Sequence, residues 1–186
     1  MPRLFVAIDI PDEVAESLER LCVGLPDVRW TEPEDFHLTL RFIGEVDTPT
    51  FLEIGSALAQ VSSPPFDVRL HGIGHFPPRG EPTTLWIGAD GGDALLALRR
   101  RIDRALDAVG VGPEPRKFHP HVTLARFRRP PPENRMGAFL RNTGLFRSPS
   151  FAVSGFSLWS SVLRPEGALH ALEASYDFVS GHMERV

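Results

Sequence analysis

Cys22 is the only cysteine in the chain, so no disulfide can form within it and a reducing compartment is expected. Its spacing with Val14, Leu18 and Leu25 is helical, which points to core packing over thiol chemistry. No stretch approaches the roughly 18 uninterrupted apolar residues of a transmembrane helix. The opening MPRLFVAIDIPDEV reaches Asp9 and a Pro-Asp-Glu cluster too early for a signal peptide and is expected to be a first strand. A cytoplasmic protein without membrane contact follows as the expectation. Strong net charge is also missing. At −4, the chain is no general nucleic-acid binder.

Charge is nevertheless unevenly placed. Between Arg116 and Arg147 there are eight Arg or Lys residues and one acid, Glu133. Asp12, Glu13, Glu16 and Glu19 make the first helical segment acidic. The second half therefore offers a local positive field suited to an anionic ligand, or else a solvated arginine-rich face. With 186 residues, the chain can bury one core, either as one domain or as two small lobes sharing it.

Strand and helix signals alternate along the sequence. Leu4–Ile8 reads as a strand, and Pro11-Asp12-Glu13 opens a helix with Val14, Leu18, Leu21 and Leu25 on one face. His37–Val46 reads as a strand, and Thr48-Pro49 opens a helix to about Val61, with Pro in the first turn. Phe66–Phe76 and Thr83–Ala89 are strands around the turn-rich HFPPRGEPT. A helix from Asp93 buries Leu95, Leu98, Ile102, Leu106 and Val109 and stops at Gly110. The order then recurs: a strand near His121, a short helix at Arg135–Asn142, and strands at Phe151–Leu163 and Leu169–Val179. This is an α+β pattern of two similar lobes related by duplication.

The repeat is sharpest in four residues. His37-Leu38-Thr39-Leu40 returns as His121-Val122-Thr123-Leu124, 84 positions later (121 − 37). On a strand, residues two apart share a face. His37, Thr39 and Arg41 then face one way, with Leu38, Leu40 and Phe42 in the core. His121 and Thr123 face one way, with Val122 and Leu124 opposite. If the strands are symmetry-related neighbours, both His-Thr pairs converge on one cleft. One imidazole can then take a proton from water while the other gives one to a leaving oxygen. Threonine hydroxyls can hold the non-bridging phosphate oxygens. The set suits metal-free, in-line cleavage of a phosphodiester, most easily a strained cyclic one. A metal site formed by His119, His121 and His37 is the competing reading, but neither motif has a carboxylate or Cys beside it in a metal-site pattern. His119 reads as a support or cleft-wall residue.

HLTLRFIG followed by RKFHPHVTLARF resembles the 2H phosphoesterase superfamily, and within it the RNA 2′,3′-cyclic phosphodiesterase (2′-5′ RNA ligase-like) group. The likeness extends to RLFVAIDIPDEV at the start and LWSSVLRPEGALHALEASYDF at the end. The resemblance implies an α+β, bilobal fold: two pseudo-symmetric lobes of antiparallel strands, helices packed outside, a central cleft, and one domain over residues 1–186. It implies hydrolysis of RNA-terminal 2′,3′-cyclic phosphate to a 2′-phosphate without cofactor or metal. His37 would be proton donor and His121 proton acceptor, and Thr39 and Thr123 would bind the phosphate. Arg126 and Arg41 are further phosphate-binding candidates. Expected partners are RNA 3′ ends carrying the cyclic phosphate, or small cyclic nucleotides, met by a monomer. His170 stands where the family often carries a Tyr, and Trp159 and Phe118 could stack on a base or pack in the core. Two alternatives share the cleft: 2′-5′ ligation of tRNA halves, and a non-catalytic module that binds RNA ends.

Overall fold

A computed structural model of the chain describes residues 3–164 and 167–178. The first strand, β1 (Arg3–Asp9), is buried along its whole centre. Pro11 then caps α1 (Asp12–Glu19), whose first turn carries Asp12 and Glu13 at the positive end of the helix dipole. Short β2 (Val28–Trp30) and a 3-10 turn at Pro33–Asp35 lead into β3 (His37–Glu45). Helix α2 (Thr48–Leu58) starts where the Asp47 carboxylate accepts the Thr50 N–H at 2.9 Å. Strands β4 (Phe66–Phe76) and β5 (Thr84–Asp90) precede the longest helix, α3 (Gly92–Ala108), which ends before Gly110 at φ 80°. Then follow β6 (His121–Phe127), α4 (Glu133–Thr143), β7 (Phe151–Val153), β8 (Gly155–Arg164) and β9 (Gly167–Asp177).

The strands form one antiparallel sheet in the order β7-β4-β5-β6-β3-β1-β8-β9, with β2 added beside β6. Its two halves are four-stranded and correspond: β6-β5-β4-β7 against β3-β1-β8-β9. Each half contains a strand–helix–strand unit, β1-α1-β3 or β5-α3-β6, whose last strand carries the His-x-Thr-Leu motif. The first half is completed by the end of the chain. The segment expected as one strand over Phe151–Leu163 breaks at Ser154, giving β7 to one half and β8 to the other. The expected last strand runs to Asp177; Val179 lies outside the described residues.

One apolar face of the sheet and the inner faces of the helices make a continuous core. Leu4, Val6 and Ile8 of β1, Leu38 and Leu40 of β3, and Val122 and Leu124 of β6 meet Leu18, Ile54 and Leu58 and the α3 row Leu95-Leu98-Ile102-Leu106, all at most 3 % exposed. Burying each such side chain contributes about 1.5–3 kcal/mol relative to leaving it in water. Cys22 is half-buried against this core and bonds the Leu18 carbonyl, and burial pushes its thiol up to about 12. It is a packing residue.

Candidate active site

The two halves touch at the centre of both motifs. β3 and β6 are antiparallel neighbours, paired at Leu38↔Val122. Leu38 and Val122, wholly buried, hold the seam against the helices. One step to either side, the same register sets His37 opposite Thr123 and Thr39 opposite His121, on the face away from the core. Each imidazole is thus matched with the other motif's hydroxyl. The two histidines are diagonal neighbours, on the order of 8 Å apart at Cα.

The last residue of each motif is a bulge. Along β3, Ala7 pairs with Thr39 and Val6 with Arg41, so Leu40 is an extra residue. Along β6, Trp86 pairs with Thr123 and Leu85 with Ala125, so Leu124 is extra. Two consecutive residues then point to the core in each strand: Leu40 with Arg41, and Leu124 with Ala125, all at most 3 % exposed. A bulge of this kind switches the face of everything after it. Arg126 is thereby turned outward onto the His121-Thr123 face.

The same switch corrects the expected position of Arg41. It does not share a face with His37 and Thr39. Its guanidinium is buried on the helix side, 2.8 Å from the Asp103 carboxylate of α3, and also donates to the Gly112 carbonyl. Arg99 joins Asp103 at 3.3 Å and Glu114 at 3.5 Å, and Glu114 meets Arg116 at 3.3 Å. This network ties the β3 strand to the loop leading into the second motif. Phe42, expected in the core, takes the outward place instead, with Phe5 at 6.0 Å and the Arg116 guanidinium 5.3 Å from its ring.

Each ring is influenced by the main chain two residues upstream. His121 Nδ1 lies 2.6 Å from the His119 main-chain oxygen. A carbonyl only accepts, so Nδ1 carries the hydrogen and Nε2 is left with its lone pair. The Asp35 main chain, two residues before His37, favours a proton on that ring. Phe5 packs 4.9 Å from the His37 ring, and Phe76 stands edge-on to His121 at 5.0 Å. Burial, then the charge of His170 and that of Arg126, push His37 down to about 4 against the pull of Asp35. Burial also lowers His121, with smaller contributions from His119 and Arg126. Arg126 therefore acts electrostatically on both histidines.

The surrounding wall was less visible in the sequence. Trp86 and Phe76 pack with His119, at 4.6 and 5.6 Å, behind His121. A Cβ on Gly74 would lie 2.5 Å from the Trp86 ring, so glycine is what lets the indole lie across β4. Asp35 and Phe5, which flank His37, carry no motif signal. His170 reaches the site from β9 and lies 5.2 Å from His37. Trp159 donates to the Asp9 carboxylate at 3.0 Å, and Phe118 packs under Arg99 at 5.0 Å. Among the described residues, no group of three or more His, Cys, Asp or Glu side chains is placed to hold a metal ion, and no helix is long and apolar enough to cross a membrane.

The sequence and the fold resemble those of known proteins. A model of the 2′-5′ RNA ligase superfamily matches residues 10–164. An RNA 2′,3′-cyclic phosphodiesterase of Aeropyrum pernix is 38 % identical over 148 residues, 79 % of this chain and 84 % of that one. Another, of Archaeoglobus fulgidus, is 32 % identical over 174 residues, 90 % of this chain and 96 % of its own. The crystal structure of E. coli LigT complexed with 3′-AMP has the same fold, with a TM-score of 0.76 at 25 % identity, covering 97 % of this chain and 100 % of that one.

Proposed function

The chain belongs to the 2′-5′ RNA ligase superfamily, and from that premise we propose that it hydrolyses the 2′,3′-cyclic phosphate at an RNA 3′ end to a 2′-phosphomonoester. The observation that carries the reading is the seam at Leu38↔Val122, which sets two His-Thr pairs on one face, with the His121 imidazole anchored through Nδ1. The relatives bearing that activity in their names, at 38 and 32 % identity, support it.

In this reading, Thr39, Thr123 and Arg126 bind the non-bridging oxygens, which gain charge in the transition state. His121 Nε2 takes a proton from water as the water oxygen attacks phosphorus. His37 gives its Nε2 proton to the 3′ oxygen as the P–O3′ bond breaks. The exchange balances: one proton enters at His121, one leaves from His37, and solvent resets both. Burial keeps both rings neutral in the empty cleft, so the negative phosphate must favour the proton on His37 when it binds. Arg41 belongs to the fold in this scheme, not to the phosphate. The protein works as a single chain and without a metal ion. The substrate is an RNA end or a small cyclic nucleotide.

The experiment is incubation with an oligonucleotide ending in 2′,3′-cyclic phosphate, with and without EDTA. A 2′-phosphate product formed equally in both is expected. A 3′-phosphate product, or loss of activity in EDTA, overturns the scheme. Supplying a 5′-hydroxyl RNA together with the cyclic end tests whether the same proton transfers also run toward a 2′-5′ linkage.

A further inference from the structure

The two proposed catalytic histidines occupy matching places on their strands but have unlike companions. Beside His121 stands His119, 6.0 Å away and packed edge-on against Trp86 and Phe76. Beside His37 stands His170, at 5.2 Å and nearly perpendicular. His170 Nδ1 donates to the Asp35 carboxylate at 3.0 Å, with the two side chains 17 and 33 % exposed. Asp35 thus acts on both rings, on His37 through its charge and main chain and on His170 through a side-chain hydrogen bond. Phe5 closes the group from below, 4.9 Å from His37 and 5.4 Å from His170. The other charged group acting on His37 is Arg126, from β6.

We propose that Asp35 and His170 form a positioning pair for His37, which fixes its ring and governs its uptake of a proton, and that among the described residues the His121 side has no equivalent. This rests on His37 being the proton donor. The Asp35 carboxylate draws a proton toward His37 while the charge of His170 opposes it, so the pair sets how readily the donor takes up its proton. Neither residue touches the substrate for the effect to operate.

The test is the titration of His37 and His121, followed by NMR of the full chain without substrate, in the wild type, His170→Phe and Asp35→Asn. Phenylalanine keeps a ring against Phe5 and His37 and leaves the Asp35 carboxylate as the nearest charge. The His37 midpoint is expected to rise by about one unit in His170→Phe, since a cation about 5 Å away is removed, and to fall in Asp35→Asn. The His121 midpoint stays fixed in both. The limb of the kcat/KM profile that reports the donor moves with His37. His170→Gln, which can still donate to Asp35, shifts the midpoint as His170→Phe does but restores more of kcat. An unchanged His37 midpoint, shifts of the same sign in both variants, or an equal shift of His121 overturns the proposal. Because the midpoints are read in the empty protein, they answer even if no cyclic phosphate is ever hydrolysed.

Discussion

Removing Arg41 and removing Arg126 are predicted to have opposite consequences, although both arginines lie near the end of a His-x-Thr-Leu strand. Arg41 is 3 % exposed and bonded to Asp103 and to the Gly112 carbonyl. Breaking a buried ion pair by deleting one partner costs about 3–5 kcal/mol, because the other charge is left buried. Here Asp103 keeps Arg99 at 3.3 Å, and the Arg41 Nε has no partner to lose. The lower end applies, so Arg41→Ala should cost about 3 kcal/mol. In a domain of this size that lowers Tm by about 6–12 °C. Arg126 is exposed and changes stability by less than about 0.5 kcal/mol when cut back to alanine. Losing a charge-assisted hydrogen bond to phosphate instead costs about 1.5–3 kcal/mol of binding, or about a 10- to 100-fold loss in kcat/KM. Urea unfolding and hydrolysis of a 2′,3′-cyclic nucleotide, run on both variants, give the four numbers. Arg41→Ala with unchanged stability and lost turnover would refute the bulge argument, as would an Arg126→Ala variant that unfolds early and turns over normally.

Three further outcomes follow from the same geometry. His37 has a folded-state pKa of about 4 against 6.5 for the free side chain, so the unfolded chain binds the extra proton between those values. Its contribution is present above pH 6.5 and is lost as pH falls toward 4, by at most about 3 kcal/mol; unfolding of the wild type against His37→Gln across that window should show the difference, and parallel pH curves would contradict it. Gly74→Val drives a side chain into the Trp86 ring, with a Cβ already at 2.5 Å, and should cost about 1–3 kcal/mol while displacing the wall behind His121; wild-type stability and turnover would dismiss that role for glycine. His170→Phe should raise the His37 midpoint and leave that of His121 in place, as the NMR titration would record.

Most of the site was legible because it is written in strand period. Leu38 and Val122 are core residues, and their parity sends His37, Thr39, His121 and Thr123 to the other face. Parity failed where a bulge intervened. Nothing in HLTLRF marks Leu40 as an extra residue, since leucine suits either a regular or a bulged core position, so Arg41 and Phe42 were assigned to the wrong faces. The duplication was legible in the motifs but not in the partners. The first half of the sheet borrows β8 and β9 from the end of the chain, a long-range pairing that no local pattern encodes. The same distance hides His170, which meets Asp35 across 135 positions (170 − 35). A carbonyl anchor such as that of His119 carries no side-chain signature at all.

The proposed division of labour between the two imidazoles is tested most directly with two substrates and two variants. A 2′,3′-cyclic-phosphate-ended oligonucleotide has a poor leaving group that needs an acid; a p-nitrophenyl phosphodiester has a leaving group that does not. On the oligonucleotide, His37→Ala and His121→Ala should each lose about 10²- to 10⁴-fold in rate. On the activated diester, His37→Ala should recover most of the wild-type rate while His121→Ala stays impaired. Recovery by His121→Ala instead would reverse the assignment, and full activity of both variants on the oligonucleotide would contradict paired-histidine catalysis altogether.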